Sequence, residues 1–276
     1  MNIYKLRIST LSGHEHARPE KVAEYLYLSL PRPSDPKLDE ETMTNPLTTR
    51  EWTILILIVV YSSIPTLGGM IRLLELAGGP PALMPENPRV LADPLPAILH
   101  IVGSFVFCIM GAMQFLPSIR RYHPTIHCKM GRVLVITGCV SAASGVWMTW
   151  FFSFPDALQG ALLFSVRCIL GFSMIGLIGW AVVAVRARDF NRHGTLMLRA
   201  YAIGQGASTQ AVLGIGWIVI FGAEPAGFLR EVFMVLCWFL NLLAAEIFAR
   251  RLISNMRSTS PAPIQAGDQS SELPSH

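Results

Sequence analysis

Charged residues are scarce in this 276-residue chain. They make up 14% of the sequence, whereas 52% is hydrophobic and the mean hydropathy is +0.46. A soluble domain carries about a quarter charged residues, so this composition excludes that class and places the chain in a bilayer. The net charge of +4 does not indicate nucleic-acid binding, because the basic residues recur in short clusters between apolar runs instead of forming one patch.

Acidic residues are almost absent from the apolar part of the chain. Between Pro94 and Glu224 the only acids are Asp156 and Asp189, and both fall between apolar runs. A carboxylate relay therefore has no residues inside the bundle, which disfavours a proton-driven transporter. The chain also lacks a nucleophile elbow, a P-loop and an HExxH motif, and its five cysteines have neither CxxC nor zinc-site spacing.

Long apolar runs predict the membrane-spanning helices. A helix needs about 20 apolar residues to cross the hydrocarbon core, and six runs meet or approach that length. The fourth contains one charge, Arg167, and the sixth contains Glu246. We therefore predict an all-α fold, a polytopic transmembrane bundle of about six helices. The predicted spans are residues 52–71, 95–116, 133–154, 160–185, 200–221 and 232–249.

Polar, proline-containing segments flank the predicted bundle of residues 51–250. Residues 1–50 lack the apolar core of a signal peptide. They are predicted to form a disordered cytoplasmic tail, as are residues 251–276, because neither segment has enough apolar residues to build a core. Met43 lies just before the first span, so residues 1–42 have a second interpretation, an over-extended reading frame. The intact mass of the natively expressed protein distinguishes the two.

Lysine and arginine are distributed unevenly between the connecting segments. The two tails, the connector between spans two and three and the connector between spans four and five together hold eighteen of them. The alternate connectors hold three. Six spans place all the rich segments on one side, which the positive-inside rule identifies as the cytoplasm. We therefore expect a multi-pass membrane protein, surrounded by lipid, with both termini in the cytoplasm.

Small residues recur at regular spacing along two predicted spans. Such stripes allow helices to approach closely. The alternative is that a flat ligand lies against a surface stripped of side chains. The residues are Gly131, Gly138 and Gly145 in the third span and Ala200, Gly204 and Ser208 in the fifth.

Two histidines occupy equivalent positions in front of two spans. His127 precedes the third span and is followed by Arg132, and His193 precedes the fifth and is followed by Arg199. Both histidines lie at the predicted cytoplasmic end, and two facing imidazoles are what bis-histidine ligation of haem b requires. In this hypothesis His127 and His193 are the metal ligands, and the arginines pair with the haem propionates. The alternative is that these side chains contact lipid phosphates and helix ends.

Arg167 is the one lysine or arginine deep inside a predicted span. Counted from the helix end near Gly160 it lies roughly 10 Å deep, and His100 lies roughly 8 Å deep in the second span from the same side. Arg167 either extends to the outer headgroups or lines, with His100, a pocket for an anionic or carbonyl-bearing ligand such as a quinone.

A set of histidines and arginines in spans two to five carries a family resemblance. It consists of His100, the run Arg120-Arg121-Tyr122-His123-Pro124, the motif His127-x3-Gly131-Arg132 and the motif His193-x3-Met197-x-Arg199. Over roughly residues 95–220 the chain resembles the domain-of-unknown-function 2306 family of predicted bacterial membrane proteins. The family pattern commonly has a tryptophan where this chain has Leu196. The resemblance implies a membrane-spanning helical fold in the inner membrane of a bacterium, and it supplies no reaction. A looser likeness to histidine-ligated transmembrane cytochromes b rests on helix number and histidine placement.

Two functional hypotheses from different classes follow. The first is a non-enzymatic or accessory multi-pass membrane protein that binds a small anionic or quinone-like ligand, because nothing in the sequence requires catalysis. The second is a b-type haem protein that transfers electrons to or from quinol or a metal ion. No residue is assigned a catalytic role. The candidate cofactor-binding residues are His127, His193, His100, Arg167, Arg132 and Arg199.

Overall fold

The computed structural model describes residues 47–79 and 87–258, with side chains up to residue 250. Most of the two predicted tails, residues 1–46 and 259–276, lies outside the described residues. The described part contains helices and no strand. Its helices are α1 (Thr49–Leu76), α2 (Pro88–Ala92), α3 (Pro94–Gln114), α4 (Pro117–Tyr122), α5 (Pro124–Phe151), α6 (Ala161–Arg186), α7 (Phe190–Gly204), α8 (Gly206–Phe221) and α9 (Gly227–Ser258).

Six helical segments are long and apolar enough to cross a membrane. They are α1, α3, α5, α6, α9 and the consecutive pair α7 and α8. The predicted all-α fold with six spanning helices is therefore confirmed for the described residues. Successive spans run in opposite directions. We call the end at which α1 begins the basic end, because Arg120, Arg186 and Arg192 lie there, and the other the opposite end.

The two basic connectors expected from the sequence are largely helical. Residues 120–132 do not form a turn: they begin in the short helix α4 and continue into α5, which starts at Pro124. Likewise α7 begins at Phe190, and the Asp189 carboxylate accepts a hydrogen bond from the Arg192 N–H at its start. Proline is well suited to the first turn of a helix, where its missing N–H has no intrahelical partner to lose. Pro117 and Pro124 therefore start α4 and α5.

The first helix is attached to the bundle by a buried carboxylate. Glu51 forms a capping box with Thr48, in which the Glu51 carboxylate accepts the Thr48 N–H at 2.9 Å. The same carboxylate accepts hydrogen bonds from the N–H and the hydroxyl of Ser118 in α4, at 2.8 and 2.7 Å. One acidic side chain thus bonds the start of two helices. Beyond it, α1 exposes apolar side chains such as Leu57 and Leu67, a surface suited to contact with lipid.

Helices α3, α5, α6 and α7 form the centre of the bundle. Phe107, Leu134, Ile178 and Tyr201 contribute one side chain from each helix to a single buried cluster. The Tyr201 hydroxyl donates to the Cys108 carbonyl of α3 at 2.7 Å. A buried tyrosine needs such a partner for its polar end, so this bond ties α7 to α3 while the ring packs in the cluster.

Glycines allow α3 and α5 to approach closely. A Cβ atom on Gly103 would lie 3.0 Å from the backbone oxygen of Thr137. A Cβ on Gly138 would lie 2.7 Å from the Phe107 ring. The close-packing interpretation of the glycine stripe therefore applies at Gly138, as expected for glycine between membrane helices.

Candidate functional site

A cavity of about 360 Å³ lies among the helices. Every span contributes to its wall, which reaches from the opposite end to the middle of the bundle. A mainly apolar wall with a few polar groups, and a volume above about 300 Å³, are typical of small-molecule sites. The polar side chains in the wall are Ser62, Thr66, His100, Ser104, Ser141, Thr149, Arg167, Ser208 and Gln210.

His100 is held in one orientation in this wall. Its Nδ1 lies 2.8 Å from the Ser141 carbonyl oxygen of α5. A carbonyl can only accept, so Nδ1 carries the hydrogen and, in the neutral ring, Nε2 is the acceptor. The Ser104 and Ser141 hydroxyls bond each other at 2.6 Å beside it, and a Cβ on Gly145 would lie 3.2 Å from the ring. The local packing thus determines both the position and the tautomer of the imidazole.

Arg167 has protein partners at membrane depth. Its Nη1 donates to the Gln159 side-chain oxygen, and its Cζ lies 5.4 Å from the centroid of the Phe154 ring. Both partners come from the connector between α5 and α6. Arg167 lines the same cavity as His100, so the structure brings together the two residues that the sequence placed at similar depth.

The fifth span is broken inside the bundle, which the apolar pattern did not predict. α7 ends at Gly204 and α8 begins at Gly206, with Gln205 between them. The Trp238 indole N–H donates to the Ile203 carbonyl at 3.2 Å. This carbonyl lies in the last turn of α7, where carbonyl groups lack intrahelical donors. The ring also fills the space over Gly206, where any side chain would collide with it. The triplet Gly204-Gln205-Gly206 is the sequence signal that could have indicated the break, because glycine weakens a helix.

Gln205 is the centre of a buried polar network at this break. Its side-chain nitrogen donates to the hydroxyls of Ser62 and Tyr201, both at 2.8 Å, and its oxygen accepts from the Ser208 hydroxyl at 2.8 Å. Ser62 and Ser208 also line the cavity. Gln205 keeps αR dihedrals, with φ −76° and ψ −1°, so the break is an interruption of the helical hydrogen bonding. An irregularity of this kind at membrane depth occurs where protein buries it or where it lines a cavity, and this break meets both conditions.

His127 and His193 form a second polar group at the basic end. Each lies in the first turn of its helix, α5 or α7, and the two rings are close enough to interact electrostatically. Nδ1 of His193 donates to the Ala181 carbonyl at 2.9 Å, which leaves Nε2 as its acceptor. Nδ1 of His127 is buried and has no hydrogen-bond partner among the described residues. The structure therefore places both histidines at the basic end, within range of each other's charge, whereas His100 belongs to the cavity.

The two arginines expected beside these histidines differ in their surroundings. Arg199 forms an ion pair with Glu246 of α9, with its Nη2 2.8 Å from a carboxylate oxygen. Arg250 contacts the other oxygen at 3.1 Å. The acid inside the sixth predicted span is thus paired with two cations. Arg132 is exposed. A haem propionate at Arg199 would have to compete with Glu246, whereas one at Arg132 would not.

Comparison with protein-family models gives a match over residues 97–249. The matching family is described as "Predicted membrane protein (DUF2306)". The matched segment is more than half of the chain and begins within α3, so it includes the cavity histidine and arginine and both histidines of the basic end. It also reaches into α9, beyond the segment over which the resemblance was recognised. No curated protein and no solved structure matches the chain.

Proposed function

Because the chain belongs to the DUF2306 family of predicted membrane proteins, we propose that it is a multi-pass protein that binds a small ligand in the cavity lined by His100 and Arg167. The proposal rests on one observation. Two polar side chains from separate spans, costly at membrane depth, lie in the wall of one cavity of about 360 Å³. The role is binding or accessory, since hydroxyl and apolar groups make up most of the remaining wall.

The chemistry of the wall favours a ligand with an oxygen acceptor and an apolar part. The guanidinium of Arg167 is a planar donor suited to a carboxylate or a carbonyl. His100 adds a ring nitrogen whose partner groups are already arranged by α5. A quinone headgroup and an organic anion both have these features. Arg167 already has a hydrogen-bond partner in Gln159, so its side chain does not need to extend to the lipid headgroups. This favours the hypothesis of a ligand pocket over the alternative in which Arg167 only contacts lipid.

The protein is further proposed to reside in a bacterial inner membrane with its basic end in the cytoplasm. The resemblance to a family of predicted bacterial membrane proteins supports the location, and the distribution of lysine and arginine supports the orientation, through the positive-inside rule. Both connectors rich in arginine are at the basic end, where α4, α5 and α7 begin. The cavity then faces the periplasm.

Gly145→Leu is expected to weaken ligand binding by filling the cavity beside His100. A Cβ at this position would already lie 3.2 Å from the ring, and a leucine extends further. In nanodiscs of neutral phosphatidylcholine, we expect the wild type to bind decylubiquinone or decanoate, and the variant to bind the same probe about tenfold or more weakly. Equilibrium binding with empty nanodiscs as the blank measures this.

Gly176→Leu is the matched control for this substitution. Gly176 lies on α6 with nothing within 4 Å of its Cβ position, so the added leucine faces the surroundings of the bundle. We expect this variant to bind as the wild type does. Equal binding by Gly145→Leu and the wild type would show that neither probe occupies the cavity.

The histidine pair at the basic end supports a second candidate function, b-haem binding. Nε2 of His193 is left as an acceptor by the bond to Ala181, and Nδ1 of His127 is buried without a partner among the described residues. Fixing one ring nitrogen by a backbone carbonyl is the usual arrangement of a metal-ligating histidine. Within residues 47–79 and 87–258, no group of three or more His, Cys, Asp or Glu is arranged for a metal ion. The site proposed for this function is a two-histidine axial pair, and bound haem would carry one electron there.

An absorption spectrum of the purified protein tests this second function. If His127 and His193 ligate haem, we expect a Soret band and an α-band that sharpens on reduction, both lost in His127→Ala and in His193→Ala. His123→Ala is the control, because His123 is exposed one turn away and should leave the spectrum unchanged. A colourless wild type, or full haem occupancy in the double variant, would contradict the hypothesis.

A further inference from the structure

Phe154, in the connector between α5 and α6, brings two arginines together. Cζ of Arg89 lies 4.7 Å and Cζ of Arg167 lies 5.4 Å from the centroid of its ring. Both are cation–π distances. Phe154 and Arg167 line the cavity, so the ring holds Arg89, from the short helix α2, at the cavity edge. Two like charges at one ring repel each other, and an anion bound beside them would relieve that repulsion.

A third arginine comes from the start of α9. The Gly227 N–H donates to the Ala157 carbonyl at 2.9 Å, which docks the first turn of α9 on the same connector. Arg230 lies in that turn, and the carboxylate of its neighbour Glu231 accepts the Leu163 N–H at 2.8 Å, so the turn packs against the first turn of α6, the helix that carries Arg167. Its Nη1 contacts Glu224 at 3.1 Å. Its Nε is buried and has no hydrogen-bond partner within the described part of the chain.

The charges at this place favour an anionic ligand. The arginine cluster, Arg89, Arg167 and Arg230, carries three positive charges. Glu224, 66% exposed, bonds Arg230, and the Glu231 carboxylate accepts a backbone N–H at the start of α6. Neither acid bonds the buried Nε of Arg230, which leaves that donor for a bound anion. A carboxylate has one charge and two oxygens that fit a guanidinium, whereas a phosphate monoester carries about −1.5 to −2 at pH 7.

We propose that the arginine cluster binds the carboxylate of an amphiphile whose apolar chain occupies the cavity. This inference rests on the proposed ligand-binding function and narrows its ligand class. Behind Arg167 the wall continues with Ile101, Leu170 and Met174, an apolar surface suited to a hydrocarbon chain. The bound carboxylate accepts charge-assisted hydrogen bonds from the arginines and so reduces the repulsion among them. The hydrocarbon chain excludes water from these hydrogen bonds.

Competition for radiolabelled decanoate on the wild-type protein in neutral nanodiscs tests the headgroup and the chain separately. Unlabelled decanoate is expected to displace the label. Methyl decanoate, which has the chain without the charge, and acetate, which has the charge without the chain, are each expected to compete about tenfold or more weakly. Equal competition by methyl decanoate would overturn the carboxylate site. Equal competition by acetate would overturn the amphiphile.

Arg89→Gln and Arg230→Gln test the cluster without altering the cavity wall. Each is expected to weaken decanoate binding about ten- to hundredfold, while Arg192→Gln, an exposed arginine of the basic end, should leave it unchanged. Unchanged decanoate affinity in both cluster variants, with decylubiquinone binding still lost in Gly145→Leu, would overturn this inference and leave the proposed function standing. Weakened binding in the cluster variants with wild-type decanoate binding in Gly145→Leu would overturn the cavity itself.

Discussion

Alkaline phosphatase fused after Asp156 is expected to be active in intact bacterial cells, and the same enzyme fused after Asp189 is expected to be inactive. The two residues lie in consecutive connectors on either side of α6. The contrast should be close to all-or-none, because the enzyme needs disulfide bonds that form in the periplasm and not in the cytoplasm. Phosphatase activity of cells that express each fusion to the same level is the measurement.

Green fluorescent protein at the same two positions is the matched control for the orientation. It folds in the cytoplasm, so fluorescence is expected after Asp189 and not after Asp156. The reverse pattern for both reporters would place the basic end outside the cytoplasm. It would contradict the orientation inferred from the lysine and arginine counts. Phosphatase activity at both positions would show that α6 does not cross the membrane.

Gly138→Leu is expected to reduce the free energy of unfolding by about 3 kcal/mol, the upper part of the usual range for overpacking a core. A Cβ at Gly138 would lie 2.7 Å from the Phe107 ring and 2.8 Å from the end of Ile178. Both neighbours are completely buried in the central cluster, so neither can move aside without disturbing α3 or α6. The apparent melting temperature in detergent reports the change.

Gly176→Leu again supplies the control, because it adds the same side chain to α6 at an exposed position. Its melting temperature is expected to stay close to that of the wild type. If Gly138→Leu melted at the wild-type temperature, α3 and α5 could not be in the close contact that the structure gives them. A result in which both variants lost stability equally would indicate a general cost of leucine and not a packing collision.

The spans could be read from the sequence because crossing a membrane is a local requirement. About 20 consecutive apolar residues are needed wherever a helix crosses, and the predicted 95–116 and 160–185 agree closely with Pro94–Gln114 and Ala161–Arg186. The helix ends near the basic residues were placed less well. Apolar character stops near residue 132, but the hydrogen bonds of α5 continue back to Pro124, because an arginine-rich turn forms a helix as readily as an apolar one.

The apolar pattern did not predict the break at Gln205. Residues on both sides of it are apolar, so hydropathy does not register this change in the helical hydrogen bonding. The change is possible because partners from other helices, the Ser62 hydroxyl and the Trp238 indole, take up polar groups at the break. Ser62 is 143 residues from Gln205 in the sequence, and Trp238 is 35 residues from Ile203. A local sequence pattern therefore cannot predict these partners.

By itself the sequence determined the number of spans, the uneven distribution of positive charge and the depth of His100 and Arg167, since each depends only on which residues lie in one apolar run. Which side chains meet was decided by the tertiary structure. Depth alone allowed Arg167 to reach either lipid or His100, and only the packing of α3 and α6 against α5 placed both residues in one cavity wall. The sequence showed Arg89 and Arg230 merely as isolated charges in separate connectors. They join Arg167 because Phe154 and the docking of α9 draw distant segments together, and helix packing depends on shape complementarity between segments far apart in the chain.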